Sequence, residues 1–204
     1  PEGSLLGILD DTCTAMGGRL LRGWVEQPLL EMDEINRRLN AVECMFEDLL
    51  LCEKLRGSLQ KVYDIERILS KVSYNTINPK DCLALLRSLK QVPSLLALIQ
   101  ASGKEALRGY VGSMDPCEDL SSLLESAIDE SAPIAVSDGH VIRDGYCREL
   151  DEYRTASREG HTWLAQMEAE EREKTGIKNL RIEYNRVFGY YIEVTKAYYS
   201  LVPL

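Results

Sequence analysis

The sequence predicts a mainly α protein: a helical bundle, then a long helix leading to a small antiparallel β segment. Three observations predict it. Apolar residues recur at three- and four-residue spacing through most of the 204 positions. The apolar set is dominated by Leu, with Phe numbering only 2, which suits helix packing better than a β-sandwich. Only the stretch Leu180 to Tyr199 changes to a period of two, the alternation of a half-buried strand.

Residues 1–13 are expected as loop or a short helical turn. Thr14 is the expected N-cap of the next helix, whose stripe is Leu20, Leu21, Trp24 and Val25 and whose stop is Pro28. Gly17 and Gly18 each cost about 1 kcal/mol against Ala within a helix, so something should press closely on that backbone. A helix is expected from after Met32 to about Arg56, burying Ile35, Leu39, Val42, Phe46, Leu49 and Leu50 on one broad face. Gly57 should interrupt it, and a further helix should cover residues 58–72. Asn78 then reads as an N-cap, Pro79 as the first helical position and Pro93 as the exit.

A short helix follows in "SLLALIQAS", ending near Gly103. Residues 103–118 hold several glycines and read as loop with room for one short helix. "EDLSSLLESAIDESAP" should be helical up to Pro133. Two Asp-Gly turns flank "HVIR" in "VSDGHVIRDGY", which reads as a tight, partly extended excursion. Tyr146 to about Lys174 is the longest helical candidate, with the stripe Tyr146, Leu150, Tyr153, Leu164 and Met167. One stripe on otherwise polar sides is marginal alone in water, so this helix should remain underburied without a partner helix. In "LRIEYNRVFGYYIEVT", Leu180, Ile182 and Tyr184 alternate on one arm and Tyr190, Ile192 and Val194 on the other, with Asn185 and Gly189 bracketing the turn.

The net charge of −9 argues against a protein that coats nucleic acid or membrane over its whole surface. Charge is unevenly divided, however. From Lys174 onward five basic residues face two acidic ones, for +3, which leaves −12 on the remainder. Six of the 14 aromatic residues also fall in these last 31 positions. A basic, aromatic tip on an acidic helical body fits nucleic-acid contact at that tip only.

The six cysteines, at 13, 44, 52, 82, 117 and 147, lack zinc-ligand spacing and read as reduced, packed thiols. With no signal-peptide pattern, they point to a cytoplasmic location. Apolar runs such as "LLALI" are too short to span a bilayer. No catalytic constellation emerges. Asp138, His140 and Asp144 read as turn residues rather than metal ligands, and "EAEEREK" as a solvated helix face.

Four stretches resemble the MutS family of bacterial DNA mismatch-repair proteins: "GSLLGILDDTCTAMGGRLLRGWVEQPL", "NPKDCLALLRSL", "VIRDGYCRELDEYR" and "EREKTGIKNLRIEYNRVFGYYIEVTKA". Their order and spacing cover essentially the whole chain, and the first and last are the most specific. The resemblance implies a helical core and lever over residues 1–169 and the first part of a clamp over residues 170–204. It implies a non-catalytic middle piece whose clamp holds the duplex DNA backbone without reading sequence, and whose lever couples that clamp to an ATPase domain elsewhere. ATP, Mg and a homodimer are implied for the full-length protein, with no cofactor in this piece.

Consistent with that, no G-x-x-x-x-G-K-[ST] phosphate loop occurs here, and the family's phenylalanine wedge motif is also absent. Holding a phosphate backbone needs cations and amides, and Lys178, Asn179, Asn185, Arg186 and Lys196 supply them. Tyr198 is a weaker candidate. Glu183 stands where many relatives have Gly, an added carboxylate that weakens phosphate attraction if it faces DNA. The competing expectation is a helical scaffold that binds protein partners through its apolar stripes and never touches DNA.

Overall fold

A computed structural model describes residues 3–202. Among them are ten α-helices and one two-stranded sheet. The chain divides into two compact units, Pro1–Tyr146 and Cys147–Leu204.

The first unit begins with α1 (Leu5–Leu9) and α2 (Ala15–Glu26). Thr14 caps α2 as expected, its hydroxyl accepting from the Gly17 amide at 3.0 Å. The two glycines are explained by the loop before the helix. A Cβ on Gly17 would lie 3.1 Å from Thr14 Oγ1, and one on Gly18 would lie 3.3 Å from Thr12 Oγ1. Neither helix buries a residue fully; Met16, Leu21 and Val25 are half-buried, and polar contacts add to them. Arg19 forks onto Asp64 (Nη1–Oδ2 2.9 Å, Nη2–Oδ1 2.6 Å) and Glu66 (Nε–Oε2 3.0 Å). Arg56 donates to the Asp11 carbonyl at 3.0 Å, and the Arg38 guanidinium stacks 3.7 Å from the Trp24 ring centre.

The helix expected from 32 to 56 is two helices, α3 (Met32–Glu47) and α4 (Leu49–Leu59). Asp48 breaks the run and caps the second, accepting from the Leu51 amide at 2.9 Å. Gly57 does not interrupt; α4 runs through it and ends two residues later. The buried face also differs from expectation. Leu39, Val42, Phe46, Leu49 and Leu50 are exposed, Phe46 to 81 %. Ala41, Cys44 and Met45 turn inward instead, onto buried Leu51, Leu55 and Leu107, with Leu95, Leu98 and Ile99. The neighbouring helices α4, α7 (Val92–Ser102) and α8 (Glu105–Val111) gather on that side, so the expected stripe is left outside.

A second cluster gathers around α6 (Pro79–Leu89): buried Ile68, Leu85 and Leu89, with Ile65, Ile77, Ala84, Cys117 and Leu124 against them. Its members come mainly from α5 (Ile65–Ser73), α6 and α9 (Glu118–Ala127). Asp64 caps α5, bonding to the Arg67 amide at 3.2 Å. Asn78 and Asp81 form a reciprocal capping box on α6. Ser88, fully buried, accepts from the Tyr63 amide at 2.9 Å and donates to the Ala84 carbonyl at 2.8 Å, fastening the α4–α5 turn to α6. Together residues 79–102 are apolar and long enough to match a membrane span by composition. They are two helices with a turn at Lys90–Gln91, and the first buries Leu83, Leu85, Leu86 and Leu89 within the protein.

Helix α9 ends at Ala127, six residues before Pro133. Asp129 competes with the helix there by bonding the Ser131 amide at 2.8 Å. The chain then pairs with the "HVIR" excursion through an Ile128–Ile142 bridge, and the Arg143 amide donates to the Ala127 carbonyl at 2.8 Å. No cysteine among the six is disulfide-bonded; five are half-buried and Cys147 is exposed.

Candidate nucleic-acid interface

The second unit is built on α10 (Arg148–Thr175), which at about 1.5 Å per residue is roughly 42 Å long. Its 28 residues suit an exposed helix. Glu149 and Asp151 lie in the first turn, and Arg172 and Lys174 in the last, each complementing the helix dipole. Pairs such as Arg148–Glu152 and Arg172–Glu168 lace its surface. Gly176 ends it in the left-handed region at φ +69°, where a side chain would be strained. The stripe is underburied as expected. Leu150, Leu164 and Met167 are half-buried, Tyr153 is exposed, and no residue of the helix is fully buried.

After Gly176 the chain reverses over buried Ile177 and Leu180 and enters β1 (Arg181–Asn185). β1 pairs antiparallel with β2 (Gly189–Glu193), setting Ile182 opposite Ile192 and Tyr184 opposite Tyr190. These four share one face; Ile182, Tyr190 and Ile192, with Tyr191, line a largely apolar groove of about 300 Å³ against Trp163, Leu164 and Met167 of α10. The outer edge of β1 is stapled to the same helix. Glu168 Oε2 accepts from the Ile182 amide at 2.9 Å, and Arg172 Nε donates to the Leu180 carbonyl at 2.7 Å. Glu168 and Arg172 also pair with each other at 2.6 Å.

The opposite face carries Arg181 across from Glu193 and Glu183 across from Tyr191. Burial pushes the Tyr191 hydroxyl up, and the charges of Glu183 and Glu193 add to the shift. With two carboxylates against Arg181, this face is net negative. Glu183 belongs to it, on the side away from Ile182.

All five residues singled out in the sequence are exposed, but they form two groups. At the base of the hairpin the Asn179 Nδ2 donates to Thr195 Oγ1 at 2.9 Å, drawing Lys178 and Lys196 to the same end. At the tip, Asn185 Oδ1 accepts from the Val187 amide at 2.8 Å, with Arg186 inside that turn. The five-residue strand between the groups spans about 16 Å. The two asparagines thus have structural bonds of their own. Lys178, Arg186 and Lys196 take part in none of the ion pairs among the described residues, so their charges are available to a ligand.

Val187 and Phe188, more than three-quarters exposed at the tip, carried no role in the sequence reading. The signal was present: two large apolar residues stand in a turn between alternating arms. Among the described residues no group of three His, Cys, Asp or Glu side chains could hold a metal ion, and His140 sits in a turn at φ +52°.

The family model described as MutS domain III matches residues 1–198. The chain is 50 % identical to the DNA mismatch repair protein MutS of Bacillus cytotoxicus over 98 % of its own length and 22 % of that protein. It is 47 % identical to the MutS of Alkaliphilus metalliredigens (99 % of this chain, 23 % of that protein) and 50 % identical to that of Geobacillus kaustophilus (99 % and 22 %). The chain thus spans less than a quarter of the length of these relatives. With the family model covering nearly every residue, the chain belongs to the MutS domain III family.

Proposed function

We propose that the hairpin is part of a clamp that holds duplex DNA by its phosphate backbone, without reading sequence, and that α10 is part of a lever linking the clamp to an ATPase elsewhere in the whole protein. ATP, Mg and a homodimer belong to this reading of the whole protein; the stretch described here acts as a non-catalytic element. The observation that carries the proposal is the set of three cations, Lys178, Arg186 and Lys196, that among the described residues neither form an ion pair nor lie across the sheet from an acid, on an exposed hairpin of an otherwise acidic chain whose relatives are named for DNA mismatch repair. Cations that reach phosphates release condensed counterions, so they supply affinity that depends on salt rather than on base identity.

The test is a titration of labelled duplex with the 204-residue chain at several salt concentrations. With three cations engaged, log K should fall with log[salt] at a slope of about −2.7. Affinity should be weak, with a Kd on the order of 10⁻⁴ M at physiological salt, and equal for matched and mismatched duplex. Lys178→Ala with Lys196→Ala should bring the slope to about −0.9. A chain that binds no duplex at low salt, or whose slope is unmoved by these substitutions, would refute the proposal.

One observation favours the scaffold reading instead: the exposed apolar band of α3 and α4, namely Leu39, Val42, Phe46, Leu49 and Leu50. That reading expects tight protein binding lost in Phe46→Asp and no response to duplex.

A further inference from the structure

The turn closing the hairpin has an unusual composition. Turns are normally built from Gly, Asn, Asp, Ser and Pro. Here the three loop residues are Arg186, Val187 and Phe188. Val187 is 81 % exposed and Phe188 80 %. Neither lines the groove against α10, which is filled from the hairpin by Ile182, Tyr190, Tyr191 and Ile192. Yet the backbone holds them firmly. The Asn185 side chain bonds the Val187 amide at one end of the loop, and Gly189 at φ +75° closes the other, the geometry of a three-residue hairpin loop with a bulge. Behind the loop the Tyr184 and Tyr190 rings brace the two strands at 5.1 Å. The backbone part of the ordering cost of presenting two apolar side chains at the tip is thus already met in the free chain.

We infer that Val187 and Phe188 form an apolar probe that seats against the deoxyribose edges of the DNA minor groove while Arg186 engages a flanking phosphate. The inference rests on the clamp reading above and adds to it a contact that is not electrostatic. Charge decides the direction of approach. On the broad face Glu183 and Glu193 outnumber Arg181, leaving it net negative toward an anionic duplex, whereas the tip carries Arg186 and no acid. The minor groove, about 6 Å wide, admits a phenyl ring edge-on, and apolar side chains are used there by proteins that read no sequence. A lipid surface is less suited, since stable anchoring needs far more apolar area than one turn presents.

The experiment compares the parent chain, Val187→Ser with Phe188→Ser, and Arg186→Gln in the same duplex titrations. The apolar double variant should bind about tenfold more weakly at every salt concentration with the slope unchanged. Arg186→Gln should instead flatten the slope by about 0.9. Prior occupation of the minor groove by netropsin should weaken the parent and leave the apolar variant unaffected. If the double variant binds like the parent, or if its thermal midpoint drops, the pair is not a groove probe. Loss of binding to anionic-lipid vesicles with duplex binding intact would assign the tip to membranes and overturn the inference. A parent that binds no duplex takes down the clamp reading and the probe together; a parent that binds with the expected slope beside an unaffected double variant takes down the probe alone.

Discussion

Replacing Glu168 by Ala removes the acceptor of the Ile182 amide and the carboxylate partner of Arg172 at one stroke. Their geometry sets the size of the effect. A hydrogen bond to a charged group is worth about 1.5–3 kcal/mol. The ion pair is 24 % and 39 % exposed at its two side chains, so solvent screening limits it to about 0.5 kcal/mol. Taken at its lower end, a total of about 2 kcal/mol corresponds to at least about a 30-fold rise in the open population of the hairpin. A two-stranded hairpin is marginal alone, so this loss should open it locally while α10 remains helical.

Native-state amide hydrogen exchange followed by NMR reads the effect directly. The Ile182, Glu183 and Tyr191 amides should exchange about 30-fold faster in Glu168→Ala, with α6 amides unchanged. Glu168→Gln keeps an acceptor oxygen without the charge and should give about three- to tenfold. Exchange within twofold of the parent in the Ala variant would mean that the staple does not hold β1 to the helix.

Three further outcomes are expected. Phe46→Ser should change stability by no more than about 0.5 kcal/mol in urea denaturation, because the ring is exposed; a loss of about 3–5 kcal/mol would restore it to the core. Asn78→Ala should cost about 1 kcal/mol in the same assay by removing the capping box on α6, and a neutral result would deny the cap. Arg19 holds the Asp64 carboxyl down to about 2, so the stability this pair contributes is present above the ordinary carboxylate value of 3.8 and is lost as pH falls through about 2. Trp24 fluorescence in a Trp163→Phe background should therefore report loosening of α2 between about pH 4 and 2, and Arg19→Gln should abolish that acid transition.

The parts of this fold that are legible in the sequence are those set by near neighbours along the chain. Thr14 and Asn78 cap because a short polar side chain reaches an amide three residues on, and that reach needs no tertiary partner. Gly176 ends α10 and Gly189 closes the hairpin because a positive φ favours glycine wherever the chain lies. Alternation marks the two arms of the hairpin, and the turn bracketed by Asn185 and Gly189 sets their register. The same locality let the four family stretches identify the chain.

What only the tertiary structure decided are matters of which surface finds a partner. The stripe from Leu39 to Leu50 has helical spacing, but spacing cannot say whether a neighbour sits on that side or on the face of Ala41, Cys44 and Met45. Asp48, an ordinary surface residue by sequence, becomes a helix break because its carboxylate caps the next helix at the place where the chain must turn. Lys178 and Lys196 lie 18 positions apart, yet the Asn179–Thr195 bond brings them to the same end of the hairpin, while Arg186, nearer to each of them in the chain, is carried to the opposite end. Caps and turns are fixed by interactions within a few residues, whereas burial and charge clustering depend on distant segments arriving together, and one-dimensional spacing does not encode that arrival.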